Sequence, residues 1–220
     1  MNTVSKRTKT AGKIDTMMEH AGAALAEGDY FGAESSALEA LDLAHASQDW
    51  DRMARLLLPL EEARRQRRLE AAEAGVAGRV DSVEALQEID PITPGCWLLE
   101  PMTVGAHGRD FRAAADAQRV PVVVIVREPE TQLGAWPIAI LGPVVVRTKV
   151  EPPETLDVAW FLAAAEALGD EAIENVPADL EPETRINRLM DRLGAIRDHD
   201  ELHQALAEAC RDAVRASAPA

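Results

Sequence analysis

The sequence predicts an α+β fold: helical hairpins at the N-terminus, then a small mixed β-sheet flanked by C-terminal helices. Three observations carry this reading. Apolar residues recur at helical spacing in Ile14, Met17, Met18, Ala21 and Leu25, in Ala33, Ala37, Ala40, Leu41 and Ala44, and in Trp50, Met53, Ala54, Leu57 and Leu60. The pattern then changes to short Val- and Ile-rich runs. The clearest, residues 120–126, reads as a strand buried on both faces. After Pro152 and Pro153 helical spacing returns, in Leu156, Ala159, Trp160, Ala163 and Ala167, in Ile186, Leu189, Met190 and Leu193, and in Leu202, Leu206, Ala209, Cys210 and Ala213.

Taken in order, residues 1–13 are polar and basic without periodicity and are expected to form a disordered tail. Residues 14–74 form the helical segment, in which Pro59 should kink or split the third helix near Leu58. Residues 75–94 read as a linker with a short helix at 82–89, and residues 95–216 as an α/β domain with its C-terminal helices. Within that domain 96–99 and 120–126 are strands and 111–119 a helix. The intervening chain is long enough for a right-handed β-α-β crossover. Residues 136–150 form either one bent strand with a bulge at Gly142 and Pro143 or a two-stranded hairpin, so three or four strands are expected.

The helix breaks recur. Gly28-Asp29-Tyr30 and Gln48-Asp49-Trp50 lie 20 residues apart, each a turn followed by an aromatic that opens the next helix. Ala33 and Ala40 fall at two small positions of the following helix. In these residues, over about 14–74, the chain resembles the tetratricopeptide repeat. Met17 stands where that family prefers Trp, and His45 where it prefers Pro. The resemblance implies tetratricopeptide-like helical hairpins and a role in protein–protein interaction. About three helices are short for a free-standing repeat array, so the α/β part, a partner or a second copy should cap it.

Composition narrows the function classes. Of 220 residues 47% are hydrophobic and 28% charged, as in a globular chain, and only 4% are aromatic, so Ala, Leu, Val and Ile must build the core. The net charge of −15 argues against nucleic acid or an anionic membrane as partner. Residues 154–220 carry −9 of it, and a charged helix face most often serves solvation. The longest uncharged stretch, residues 133–146, is short of the ~20 needed to span a bilayer. No apolar run follows the basic N-terminus as in a secretory signal, and a cytoplasmic protein is expected. The arginine and alanine bias suggests a GC-rich bacterial genome. Cys96 and Cys210 read as small buried hydrophobes.

Three groups of residues could carry chemistry. His199-Asp200-Glu201-Leu202-His203 places two histidines at i, i+4, the spacing of a zinc helix, but Asp200 stands where a zinc protease needs Glu and no third ligand follows. Asp198 and Glu201 fit a helix cap better. Gly105, His107, Gly108 and Arg109, between a strand and a helix, could bind an anion at the helix N-terminus, or could simply be turn residues. Arg64, Arg65 and Arg68, with Arg67, form a basic patch on the third helix. It could meet an acidic partner or the chain's own acidic C-terminal helices, or pair with Glu61 and Glu62 one turn earlier.

No nucleophile elbow and no Cys/His/Asn set is present in the sequence, and no catalytic residue, metal or cofactor is assigned. The expected function is a non-enzymatic protein–protein interaction or scaffold module with Arg64, Arg65 and Arg68 as its contact surface. The partner would be another protein, possibly a second copy of the chain. One alternative is an enzyme or regulator binding an anionic small molecule at Gly105, His107, Gly108 and Arg109. Another is a homo-oligomeric structural protein.

Overall fold

Two turns of the same construction set the N-terminal hairpins. The computed structural model describes residues 2–130 and 134–217, with side chains from Thr8 onward. The first helix, α1 (Asn2–Ala26), gives way to Gly28 at φ +76°. Asp29 then caps α2 (Tyr30–Ala46) by accepting the Gly32 N–H at 2.8 Å. At the next break Gln48 takes φ +54°, and Asp49 caps α3 (Trp50–Glu73) by accepting the Arg52 N–H at 3.2 Å. A left-handed residue followed by a capping aspartate reverses the chain at once, so α1, α2 and α3 pack as antiparallel neighbours. Ala33, Ala37, Ala40 and Ala44 are all fully buried on α2, and such short side chains let the helix axes approach closely.

Two expectations for this region are corrected. The helix begins at Asn2, so residues 1–13 do not separate as a tail from residue 2 onward. Pro59 does not split α3, which is continuous through it. Proline removes the hydrogen bond to the carbonyl of Arg55, and Arg55 lies on the exposed face, where water can satisfy that carbonyl.

The sheet has five strands in sequence order: β1 (Ala77–Val80), β2 (Gly95–Leu99), β3 (Val122–Arg127), β4 (Trp136–Leu141) and β5 (Val145–Val150). The first three are parallel and the last two antiparallel. The short α4 (Val83–Gln87) connects β1 to β2, and α5 (Gly105–Ala117) connects β2 to β3. Residues 136–150 are therefore a hairpin, and residues 75–94 are more than a linker because they contain β1. That edge strand shows no apolar run. Its Gly78 faces Trp97 so closely that a Cβ there would lie 2.5 Å from the ring.

Alternation along β2 and β3 feeds two cores. Leu99, Val122, Val124 and Val126 pack with Phe111 and Ala115 of α5. Cys96, Leu98, Val123 and Ile125 belong to a larger core that runs from Ile14 of α1 to Ala213 near the chain's end. The C-terminal helices α6 (Val158–Glu174), α7 (Pro182–Ala195) and α8 (Asp200–Ser217) close this side. Helix α8 packs on α3 and α7 on α8, so the three N-terminal helices continue into two helices drawn from the other end of the chain. Among the described residues, no helix is long and apolar enough to cross a membrane.

The β4–β5 turn seats on the end of α7. A Cβ on Gly142 would lie 2.5 Å from the Ala195 Cα, and one on Gly194 would lie 2.8 Å from the Pro143 ring. Gly142→Ala should therefore cost about 1–3 kcal/mol in urea denaturation. Gly22→Ala, in open space on α1, should be neutral or gain up to about 1 kcal/mol.

Candidate functional site

The basic patch on α3 faces inward. Arg64 is 3% exposed and donates from Nε to Glu34 on α2 at 2.8 Å, and from Nη1 to the His203 Nε2 on α8 at 3.2 Å. Arg65 pairs with Asp200 at 3.0 Å and with Glu61 and Glu62 at 2.7 Å. Arg68 reaches the Asp198 carbonyl, and its charge sits near Asp200 and Glu166. Of the roles weighed for Arg64, Arg65 and Arg68, the geometry takes the internal one: they dock α3 on the acidic C-terminal helices. A contact surface for another protein would need them free.

The histidines serve the same joint. His199 Nδ1 accepts the Leu202 N–H at 3.2 Å, so the imidazole of His199, rather than Asp198, caps α8. Its Nε2 lies 3.0 Å from Glu166, and a Cβ on Gly169 would collide with the ring. His203 donates from Nδ1 to the His199 carbonyl at 2.8 Å, which leaves Nε2 as the acceptor for Arg64. That tautomer is neutral: burial, then the charge of Arg64, pushes His203 down to about 3. Burial alone would raise the Glu34 carboxyl, but Arg64 and Arg67 outweigh it and hold Glu34 at about 2.

The strand-to-helix turn is used for packing. Gly108 lies under β3, where a Cβ would come 2.5 Å from Val126, and Gly105 lies against Leu141. His107 Nδ1 accepts the Val104 N–H at 3.0 Å, capping its own helix, and Arg109 pairs with the adjacent Asp110 at 2.9 Å. The crevice beside these residues has no room for a water. Gly105, His107, Gly108 and Arg109 thus seat and cap α5 and do not form a cavity for a ligand.

Elsewhere, α2, α3, the end of α5 and the chain leaving α7 surround an open cleft of about 490 Å³. Four guanidiniums, of Arg64, Arg67, Arg119 and Arg197, face the carboxylates of Glu34 and Asp116 there. Arg67 pairs with both carboxylates, and Arg197 donates to the second oxygen of Asp116 at 2.5 Å. Arg67 lies 3.8 Å from the centroid of Phe31, and Arg119 lies 5.4 Å from that of the same ring. Arg67 therefore stands between Arg197, with which it shares Asp116, and Arg119, with which it shares Phe31.

Two buried arginines keep a nitrogen without an acceptor, Arg67 on the cleft wall and Arg112 in the closed crevice beside Gly105. Arg67 Nε is buried without an acceptor. Arg112 is buried with carbonyl partners only, Ala195 at 3.2 Å and Leu141 at 3.1 Å, and its Nε also has no acceptor. Burial, then the like charge of Arg197, pulls Arg112 down to about 10. The nearby Asp198 carboxyl is pushed up by burial, which weakens it as a counter-charge. Arg119 ends α5 at φ +56°, a conformation that glycine fills at little cost and arginine does not.

Comparison with protein-family models, with curated proteins and with solved structures returns no match. The cleft residues were not singled out from the sequence, apart from Arg64 and Arg67 in the arginine run. Asp116 and Arg119 lie together at the end of α5 and Arg197 just after α7, far apart in the chain, and no local spacing joins them to Glu34.

Arg64→Ala leaves Glu34 with Arg67 alone and His203 Nε2 without its donor and should destabilise the fold by about 2–4 kcal/mol, whereas Arg65→Ala, on a partly solvated network, should cost less than about 1 kcal/mol in the same urea titration. Because His203 is held neutral well below its unfolded value near 6.5, its contribution is full above that pH and is lost as pH falls. Between pH 6.5 and 4.5 stability should drop by up to about 1.4 kcal/mol per pH unit from this group. His203→Gln, which keeps an acceptor for Arg64, should flatten that slope by one proton. Glu34 adds its own loss only below about 4.5.

Proposed function

We propose that this protein is a non-enzymatic binding module that takes an anionic ligand in the cleft around Arg67, Arg119 and Arg197. One observation carries the reading: the guanidiniums of Arg67, Arg119 and Arg197 converge on one open cleft. Guanidinium forks bind carboxylate and phosphate oxygens in pairs, and partial burial strengthens each contact. The left-handed arginine at the end of α5 supports the same reading, because strained backbone tends to be kept where a side chain has work to do at a site.

A second reading, the protein-interaction module suggested by the tetratricopeptide-like hairpins, is favoured by the helical array itself. Helix α3 is covered by α8, so a protein partner would meet the outer faces of α1 and α2. A second copy of the chain is one such partner, and light scattering across a concentration series tests it.

Anion binding should raise the melting temperature. At a ligand concentration a hundred times Kd the gain is about 2.7 kcal/mol, several degrees for a chain of this size. Arg119→Gly should leave unliganded stability unchanged, or raise it by up to about 1 kcal/mol, and reduce the anion-induced shift. Melting curves in phosphate, sulfate and citrate against chloride at equal ionic strength check both. An equal small shift in all four salts would reject the binding reading.

A further inference from the structure

We infer that one end of the helical array is a self-complementary surface for a second copy of the chain, where the basic start of each α1 meets the acidic start of the other copy's α7. This inference rests on the protein-interaction reading and adds the partner and the surface.

The start of α1 is suited to a contact outside its own bundle. Residues 1–13 hold Lys6, Arg7, Lys9 and Lys13, and all 38 acidic residues lie beyond them. Basic side chains at a helix N-terminus oppose the helix dipole, so this charge does not stabilise α1 itself. Helix α1 has 25 residues, its antiparallel neighbour α2 has 17, and the two meet at the Gly28–Asp29 turn. At a rise of 1.5 Å per residue, α1 therefore overreaches α2 by about 12 Å. Lys9 and Lys13 are exposed and pair with no carboxylate among the described residues.

Helix α7 begins at the same end of the array. Gln48, in the α2–α3 turn, donates to Glu183 in the first turn of α7 at 3.1 Å. No basic residue stands between Glu154 and Thr184, a stretch with nine acidic ones. Glu181 and Glu183 are exposed there. Of the basic residues that follow, Arg185 is paired with Asp212 at 3.5 Å, and Arg188 lies beyond the first turn of α7.

Two open clefts adjoin at this end and share Trp50 and Ser217. Thr8 and Ala11 of α1 border one, and Glu181 and Glu183 border the other. Charges on the wall of the first are spent locally: Arg52 lies between Asp15 and Asp49, and Asp51 pairs with Arg55. The four basic residues of α1 outweigh the one carboxylate left over. A positive and a negative side thus flank a centre that includes Trp50, Val214 and Ala216. A two-fold axis through that centre exchanges the sides, so both meet their opposite at once, as an isologous interface requires. An unrelated acidic protein would gain only the basic side and face Glu181 and Glu183 with like charge.

The test is sedimentation velocity on the whole chain from about 1 to about 200 µM in about 150 mM salt, where repulsion between the two acidic bodies is screened beyond about 8 Å. The chain should pass from monomer to dimer across this range. Lys9→Glu with Lys13→Glu should weaken dimerisation about ten-fold or more, and so should Glu181→Lys with Glu183→Lys, each variant still melting cooperatively. An equimolar mixture of the two variants should restore a dimer, because both contacts are then complementary again. Glu84→Lys with Glu88→Lys, exposed at α4, changes the net charge as much as the Glu181 and Glu183 pair and should leave the dimer intact. A strict monomer at every concentration would overturn the second copy as partner and leave the interaction reading to other proteins. A dimer indifferent to both reversed pairs would overturn this surface and leave the second copy standing. Dimers lost in both variants and not restored on mixing would overturn the reciprocal contact.

Discussion

The buried guanidinium of Arg64 is the joint on which the rest of the structure depends. It sits on α3, takes its counter-charge from Glu34 on α2, and uses the neutral ring of His203 on α8 as its other partner. Residues from three helices, drawn from both ends of the chain, must be placed together before any of the three polar groups can be buried without loss. A buried pair of this kind adds little net stability over an apolar replacement. Its effect lies in selection: packings of α8 on α3 in another register leave a charge or a ring nitrogen unpaired in the core. The alanine face of α2 would otherwise permit sliding, because short side chains interlock weakly.

That joint also determines what the C-terminal acidity does. Residues 154–220 carry most of the net negative charge, and a part of it, Glu166 and Asp200, meets Arg65 and Arg68, with the Asp198 carbonyl as a further acceptor. The arrangement answers the need for capping a short helical array from within the chain. Helix α8 lies where a fourth array helix would, and α7 lies beyond it, so the apolar side of α3 is closed without a second subunit.

What could be read from the sequence follows from range. Helix stripes, the Gly28 and Asp49 turns and the doubly buried run at 120–126 are local patterns, and each appears in the structure close to where the residues place it, the run as β3. Strand β1 escaped because an edge strand of Ala-Gly-Arg-Val buries little, and its glycine answers to Trp97 on another strand. The turn at 105–109 looked like an anion site because glycines before a helix have two uses, backbone amides for a ligand and close packing. Only the position of Val126 and Leu141 decides between them. The arginine run was visible as a patch, and its possible pairing with the C-terminal helices followed from charge alone. Its burial did not, since exposure depends on partners more than a hundred residues away. The cleft was least legible of all, because Glu34, Asp116, Arg119 and Arg197 become neighbours only after the helices and sheet have docked.

The cleft and the joint are built from the same side chains, and this ties binding to architecture. Arg64 belongs to both, and Glu34 is shared between Arg64 in the joint and Arg67 in the cleft. An anion drawn to Arg67 competes for a guanidinium that also neutralises Glu34, so occupancy redistributes charge across the interface between α2, α5 and the chain leaving α7. Because those elements belong to the helical array on one side and the sheet layer on the other, a ligand of the proposed kind bridging Arg119 and Arg197 would stiffen their contact directly. Strong acidity elsewhere does not oppose this. Beyond about 8–10 Å the surrounding carboxylates are screened at physiological salt, while partly buried guanidiniums act at contact distance. On the proposed reading, an acidic surface with a recessed arginine cleft would exclude large polyanions and admit small ones.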